Sequence, residues 1–286
     1  MVSLSPRTTV HTLDGVSLYV ATWGQYTQPD RVIVLVHGLT ASHLEWQELG
    51  PILAAQGWYV IAPDLRGRGR SSKPPHGYGI AYHANDLLTL CDRLDLARVT
   101  LVGHSLGAVI ALYVAALYPT RVQKLVMLDA GGKIPADTAQ AIGASVARLG
   151  TTYPSLDAYL DAMRRLPMIQ WNTFWEQYFR YDAQVHSDGQ VTSRVSKTAI
   201  EEENAVLFMT RTEDLPHFVK QPTLIVRATV GLLGVDRGLI LPAEEAQRLL
   251  QIMPASQLVE IPDANHYTMM LAEQLPLAIT AFLAEA

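Results

Sequence analysis

The residues with the clearest chemical potential stand at Gly103-His104-Ser105-Leu106-Gly107. A serine hydroxyl is a weak nucleophile until a base removes its proton, and the G-x-S-x-G spacing is that of a nucleophile elbow. In such an elbow a strand turns so tightly into a helix that the central residue is strained and its neighbours must be very small. Glycine on both sides meets that demand and lifts the serine side chain clear of the sheet. Residues 99–102 are apolar and β-branched, which suits a strand buried on both faces. From Ser105 onward the apolar residues, rich in Ala and Leu, predict a buried helix. The free N–H groups and dipole at that helix start favour an anion beside Ser105. Without the flanking strand and helix, the same pentapeptide would read as a glycine-rich turn with a solvated serine.

The rest of the chain supplies the elements that must position this group. Residues 10–23 alternate about Asp14-Gly15 and predict a hairpin of two antiparallel edge strands. Residues 31–36 form a continuous apolar run, a buried strand ending at His37-Gly38-Leu39-Thr40. Ser42 is placed to cap a helix through Trp46, Leu49, Ile52 and Leu53 to Gly57. Strands follow at 58–62 and 123–128, with a helix over 78–94 between them. Asp129-Ala130-Gly131-Gly132 then closes the strand beyond the elbow helix. From about Lys133 to His217 the chain carries helical patterns without strand patterns, and Trp171, Phe174, Trp175, Tyr178, Phe179 and Tyr181 crowd one short span. Most of these rings at helical spacing suit core packing. An aromatic-rich insertion between strands also predicts a lid, with Trp171, Trp175 and Tyr178 as pocket residues.

Strands resume at 222–228, followed by a glycine-rich loop over 231–238 and a helix over 243–252. The last strand, 257–261, runs into Pro262-Asp263-Ala264-Asn265-His266, and a closing helix starts near Leu271. Strands alternating with helices after an initial hairpin predict a mostly parallel wound sheet, whose ligands bind beyond the carboxyl ends of its strands. Leu39, Ser105, Asp129 and His266 each fall just after a predicted strand.

Composition bounds the remaining possibilities. The 286 residues suffice for one large α/β domain with an insertion or for two small domains. With 49% hydrophobic and 17% charged residues, the chain can bury a sizeable core and is not of disordered composition. A net charge of −5 without any basic run argues against nucleic acid as a partner. The single cysteine, Cys91, excludes an intramolecular disulfide and suits packing. Residues 1–7 lack the apolar stretch of a signal peptide, and the longest apolar run, 108–118, falls short of the about 20 residues a bilayer requires. A cytoplasmic protein without a membrane span is the resulting expectation.

His37-Gly38 after a central strand, Asp64-x-Arg66-Gly67-x-Gly69-x-Ser71, the 103–107 elbow and Asn265-His266-Tyr267 together resemble the α/β-hydrolase superfamily across essentially the whole chain. The set is similar to its lidded carboxylesterase, lactonase and cofactor-free haloperoxidase branch. The resemblance implies an eight-stranded, mostly parallel sheet with helices on both faces. Its core would span 1–132 and 218–286, with a helical cap at 133–217. It further implies Ser105 as nucleophile and His266 as base, no cofactor or metal, and an oxyanion held by the backbone N–H groups of Leu39 and Leu106.

Two acids compete for the third place. The usual family position falls on the loop after the strand at 223–228, where Asp236 is the one acid. Asp129, directly after the strand beyond the elbow helix, matches a family variant and is favoured, because no loop need rearrange. Asp263 reads as a turn residue. His37 and His104 read as loop-orienting side chains, and Asp64 as a carboxylate bonded to loop backbone. Since Ser105 argues against epoxide or halide displacement through an elbow aspartate, the implied reaction is hydrolysis of a hydrophobic ester or lactone, small molecules being the partners. Carbon–carbon bond hydrolysis, perhydrolysis, or turnover-free sensing of a small lactone-like ligand on the same residues stand as alternatives. Oligomeric state is not legible.

Overall fold

Asp14 and Gly15 both take positive φ, 41° and 87°, and the turn between them joins β1 (Arg7–Leu13) to β2 (Val16–Trp23) in the computed structural model, which describes residues 5–207 and 210–285. Glycine enters that backbone region without steric cost and aspartate enters it more readily than most residues, so the predicted hairpin forms. One expectation is corrected. Of the two hairpin strands β1 alone lies at an edge, since Val20–Trp23 of β2 pair antiparallel with β4 (Tyr59–Pro63).

The central strands are β3 (Val32–Val36), β5 (Val99–His104) and β6 (Val122–Leu128). With β9 (Thr223–Ala228) and β12 (Ser256–Ile261) they complete an eight-stranded sheet in the order β1-β2-β4-β3-β5-β6-β9-β12, parallel from β4 onward. The central strands lie under helices on both faces and are buried at nearly every position, so alternate residues feed two cores. Val34, Leu101, Met127 and Ile225 pack with α2 (Ile80–Arg93), α3 (Leu106–Leu117) and α8 (Ala243–Ile252). Leu35, Val102, Val126 and Val226 pack on the other face, with α1 (Leu49–Ala55) and α9 (Gln274–Ala284). Cys91 is buried in the first core, where desolvation pushes its thiol up to about 12 and leaves it inert.

The helix expected from Ser42 to Gly57 is broken in two. Ser42 Oγ accepts from Leu44 N at 3.3 Å and starts a short 3-10 turn, His43–Trp46, and α1 begins only at Leu49.

Between β6 and β9 lie α4 (Ala136–Val146), α5 (Leu156–Arg164), α6 (Thr173–Asp182) and α7 (Lys197–Leu207). Ser155 and Asn172 cap α5 and α6 with side-chain oxygens that accept from backbone N–H groups of the first turn. The absence of strands expected here is corrected. Ala183–Val185 (β7) and Val191–Ser193 (β8) form a small antiparallel ribbon around a turn with Gly189 at φ 82°. Three residues are too few to show an alternating pattern. The glycine-rich loop after β9 likewise folds into a two-residue ribbon, β10 (Val230–Gly231) with β11 (Gly234–Val235). Among the described residues no helix is long and apolar enough to cross a membrane.

Candidate active site

Ser105 stands between β5 and α3 at φ 55°, ψ −122°, a conformation L-residues avoid, and its N–H donates to Leu128 O at 3.0 Å. The flanking glycines are obligatory on steric grounds. A Cβ at Gly103 would lie 2.2 Å from Gly107 O, and one at Gly107 would lie 1.9 Å from Val36 O. The elbow is therefore wedged between two strands by main-chain contacts that no side chain fits.

Asp129 follows β6 at φ 48° and is buried. Its Oδ1 accepts from Ala228 N at 3.1 Å, which leaves Oδ2 to accept from His266 Nδ1 at 2.8 Å. That bond places the imidazole proton on Nδ1 and leaves Nε2 with its lone pair. Asp236 makes no hydrogen bond or ion pair with His266: it is exposed, at φ 61°, directly after the short strand Gly234–Val235. Asp263 is an exposed turn residue at φ 57°. The loop bearing His266 is shaped by Asn265, whose Oδ1 accepts from the N–H groups of Tyr267 and Thr268, each at 2.9 Å.

The other two histidines behave as loop-orienting groups in opposite charge states. His37 Nε2 accepts from Leu65 N at 2.9 Å, so the proton is on Nδ1, which donates to Gly38 O at 2.8 Å. Burial holds His37 down to about 4, against the pull of Asp64 and Glu45. His104 instead faces two acceptors, His266 O at 3.0 Å and Glu45 Oε1 at 2.9 Å. Burial alone would lower its pKa, but the charge and hydrogen bond of Glu45, with help from Asp129, raise it. Glu45 is correspondingly held below its ordinary range: burial opposes its ionisation, and His104, His37 and Gly38 N outweigh that. A buried carboxylate–imidazolium pair results, with Glu45 Oε2 accepting from Gly38 N at 3.0 Å. The rings of His104 and His266 lie 4.3 Å apart. Burial, then the His104 cation, depress His266, against the opposing effect of Asp129, so its imidazole is neutral near pH 7. Glu45 was not anticipated in the sequence; its one signal is an acid set between Leu44 and Trp46 in a buried stretch.

Ser105, His266, Leu39 and Leu106 line one cavity of about 740 Å³, within the range of small-molecule sites. Leu106 is the first residue of α3, where a backbone N–H has no partner inside the helix. Leu39 is tethered from its other side, its carbonyl accepting from Arg68 Nε at 3.0 Å. Trp175 and Tyr178 line the cavity, joined by Phe174 and Phe179. Trp171 does not line it: it stacks on Phe179 at 5.7 Å and donates from Nε1 to Glu176. Its place on the outer side of that ring is not visible from helical spacing alone.

The arginine-rich loop after β4 is structural. Asp64 accepts from His43 N and His43 Nδ1, each at 2.8 Å, from Arg70 N at 2.9 Å and from the Tyr181 hydroxyl. Arg66 is held by Asp86 and Arg68 by Glu203.

A family model described as the alpha/beta hydrolase fold matches residues 31–273. The chain belongs to that family. Among curated relatives, it is 34% identical over 124 residues to the 3-hydroxybutyrate-oligomer hydrolase of Cupriavidus necator, covering 43% of this chain and 42% of that one. It is 36% identical over 123 residues to a non-heme chloroperoxidase of Streptomyces lividans, covering 43% and 44%. The matched stretch spans 29% to 44% of the length of such relatives. Among solved structures, E-2-(acetamidomethylene)succinate hydrolase superposes with a TM-score of 0.86 at 24% identity, covering 98% of this chain and 100% of the other. That likeness concerns the fold.

Proposed function

We propose that the protein is a serine hydrolase that cleaves a carboxylic ester or lactone carrying a hydrophobic group, through an acyl-enzyme on Ser105. The observation that carries this reading is the buried Asp129–His266 pair, at 2.8 Å, on the cavity that Ser105 enters from a strained elbow. His266 Nε2 takes the Ser105 proton as Oγ attacks the carbonyl carbon, and Asp129 stabilises the imidazolium that forms. The oxyanion is held by the N–H groups of Leu39 and Leu106, each such donor typically contributing about 3–4 kcal/mol. The imidazolium then protonates the departing alcohol oxygen. Water, deprotonated by the same Nε2, releases the acid and returns Ser105 to its starting form. We read 133–217 as a cap over the core of 1–132 and 218–286, because its aromatic residues wall the cavity. The likeness to a non-heme chloroperoxidase supports peroxide replacing water in the second step as a side reaction.

The test is a panel of p-nitrophenyl esters and N-acyl homoserine lactones with wild type and Ser105→Ala. Wild type should turn over at least one apolar member, and Ser105→Ala should lose roughly 10⁴-fold or more in kcat. Ligand-dependent stabilisation with negligible turnover would instead mark a receptor on this fold.

A further inference from the structure

The walls of the cavity are mostly apolar, yet a cation is set into them. Lys133 lines the cavity but is exposed, whereas Arg148 is drawn inside, its side chain 16% exposed. A guanidinium keeps its charge at all ordinary pH and presents five N–H donors, so withdrawing it from water without acceptors is unfavourable. Its ion-pair partner among the described residues is Asp182, at 3.9 Å, beyond hydrogen-bond reach. Asp182 is already occupied: its Oδ2 accepts from the Tyr159 hydroxyl and its Oδ1 from Ser193 Oγ at 3.0 Å. Among the described residues the Arg148 side chain donates no hydrogen bond. Asp182 therefore offsets the charge of Arg148 while leaving its fork of donors unused.

We propose that Arg148 binds a carboxylate on the substrate, so that the compound cleaved at Ser105 has an apolar body and a free acid group. Planar, two-pronged donation is the geometry a guanidinium offers a carboxylate. With Asp182 close by, the local charge suits a single negative charge better than a phosphate dianion. Arg148 and Ser105 line the same cavity, whose volume of about 740 Å³ admits both ends of such a molecule. The cleavage half of this statement rests on the hydrolase reading above; the anion site does not.

The test compares mono-p-nitrophenyl esters of four- to eight-carbon diacids with their methyl-capped counterparts, and 4-butyryloxybenzoate with its methyl ester. The readout is the ratio of kcat/KM, acid over capped, in wild type, Arg148→Met and Arg148→Lys. Because it is a ratio, a general loss of folded enzyme cancels. One charge-assisted anchor should give wild type a preference of about 10–100-fold in at least one series, carried by KM. That preference should vanish in Arg148→Met and be kept in part in Arg148→Lys. A wild-type ratio near one throughout, or a preference that survives Arg148→Met, overturns the proposal. Calorimetric binding of monomethyl adipate against dimethyl adipate repeats the comparison without turnover. Arg148-dependent binding of the acid in a chain that cleaves nothing would sustain the anion site and refute the hydrolase reading. Hydrolysis of capped esters alone would do the reverse.

Discussion

The rim of the sheet and the segment between β6 and β9 face the same cavity but are held by different forces. At the rim the decisive contacts are made by the main chain. Ser105 N donates to Leu128 O and Asp129 N to Val226 O, while Gly107 packs where a Cβ would strike Val36 O. Ser105 and Asp129 directly follow the buried parallel strands β5 and β6 and so have little freedom of direction. Across the cavity, long side chains do the holding. Arg68 donates to Glu203 Oε2 at 2.7 Å, His83 Nε2 shares that oxygen at 2.7 Å, Tyr181 reaches Asp64, and Asn265 Nδ2 donates to Met168 O at 2.9 Å. Backbone wedging tolerates no alternative and sets bond-making geometry. Buried charge pairs fix how one layer docks on another while leaving the lining free to vary. The Arg68 link joins the two, since the same side chain that meets Glu203 also holds the Leu39 carbonyl.

Three measurements test this contrast. The largest effect belongs to the rim: Asp129→Asn should keep the fold but place the His266 proton on the wrong nitrogen, lowering kcat by about 10⁴-fold. Asp236→Asn, at an exposed turn, should stay within about twofold. Steady-state kinetics of the pair decides, and equal losses would refute the assignment of Asp129.

Next comes the docking of α7. Glu203→Gln leaves the fully buried Arg68 without its counter-charge and should destabilise by about 3–5 kcal/mol, read by denaturant unfolding. Burial resists ionisation of Glu203, but His83 and Arg68 hold it at about 2, against an ordinary 4.5. A depressed carboxylate stabilises the fold fully above its unfolded value. Wild-type stability from this group should therefore fall as pH drops from about 4.5 toward 2, and Glu203→Gln should lack that component. A mutant as stable as wild type would show that the pair does not fasten the layers.

The smallest effect is a shift in titration. On the proposed mechanism His266 acts only when neutral, so kcat/KM should fall as pH drops through a value below 6.5. His104→Gln removes the cation beside it, and the acid limb should then move to higher pH. An unmoved limb would mean that His104 only orients the loop.

Much of the rim was legible because strong local chemistry marks it. Two glycines around Ser105, Asp129 directly after β6 and His266 in the loop that follows β12 are signals confined to a few consecutive residues. Glu45 and Arg148 carry no such signal. A glutamate in a short 3-10 turn and an arginine just past α4 become a loop clamp and a cavity-lining cation only when distant segments fold against them. Trp171 illustrates the opposite failure: helical spacing groups it with Trp175 and Tyr178, but it precedes the α6 N-cap Asn172 and stacks on Phe179 outside the cavity lining.

The sequence alone determined the succession of the main sheet strands, the elbow and the strand ends at which the candidate groups emerge, because those depend on periodicity and backbone sterics within a few residues. The choice of Asp129 over Asp236 as the partner of His266, the charge state of His104 and the make-up of the cavity wall were decided by tertiary structure. Each depends on burial and on oxygens and nitrogens brought within about 3 Å from remote parts of the chain, and neither is encoded in any one local stretch.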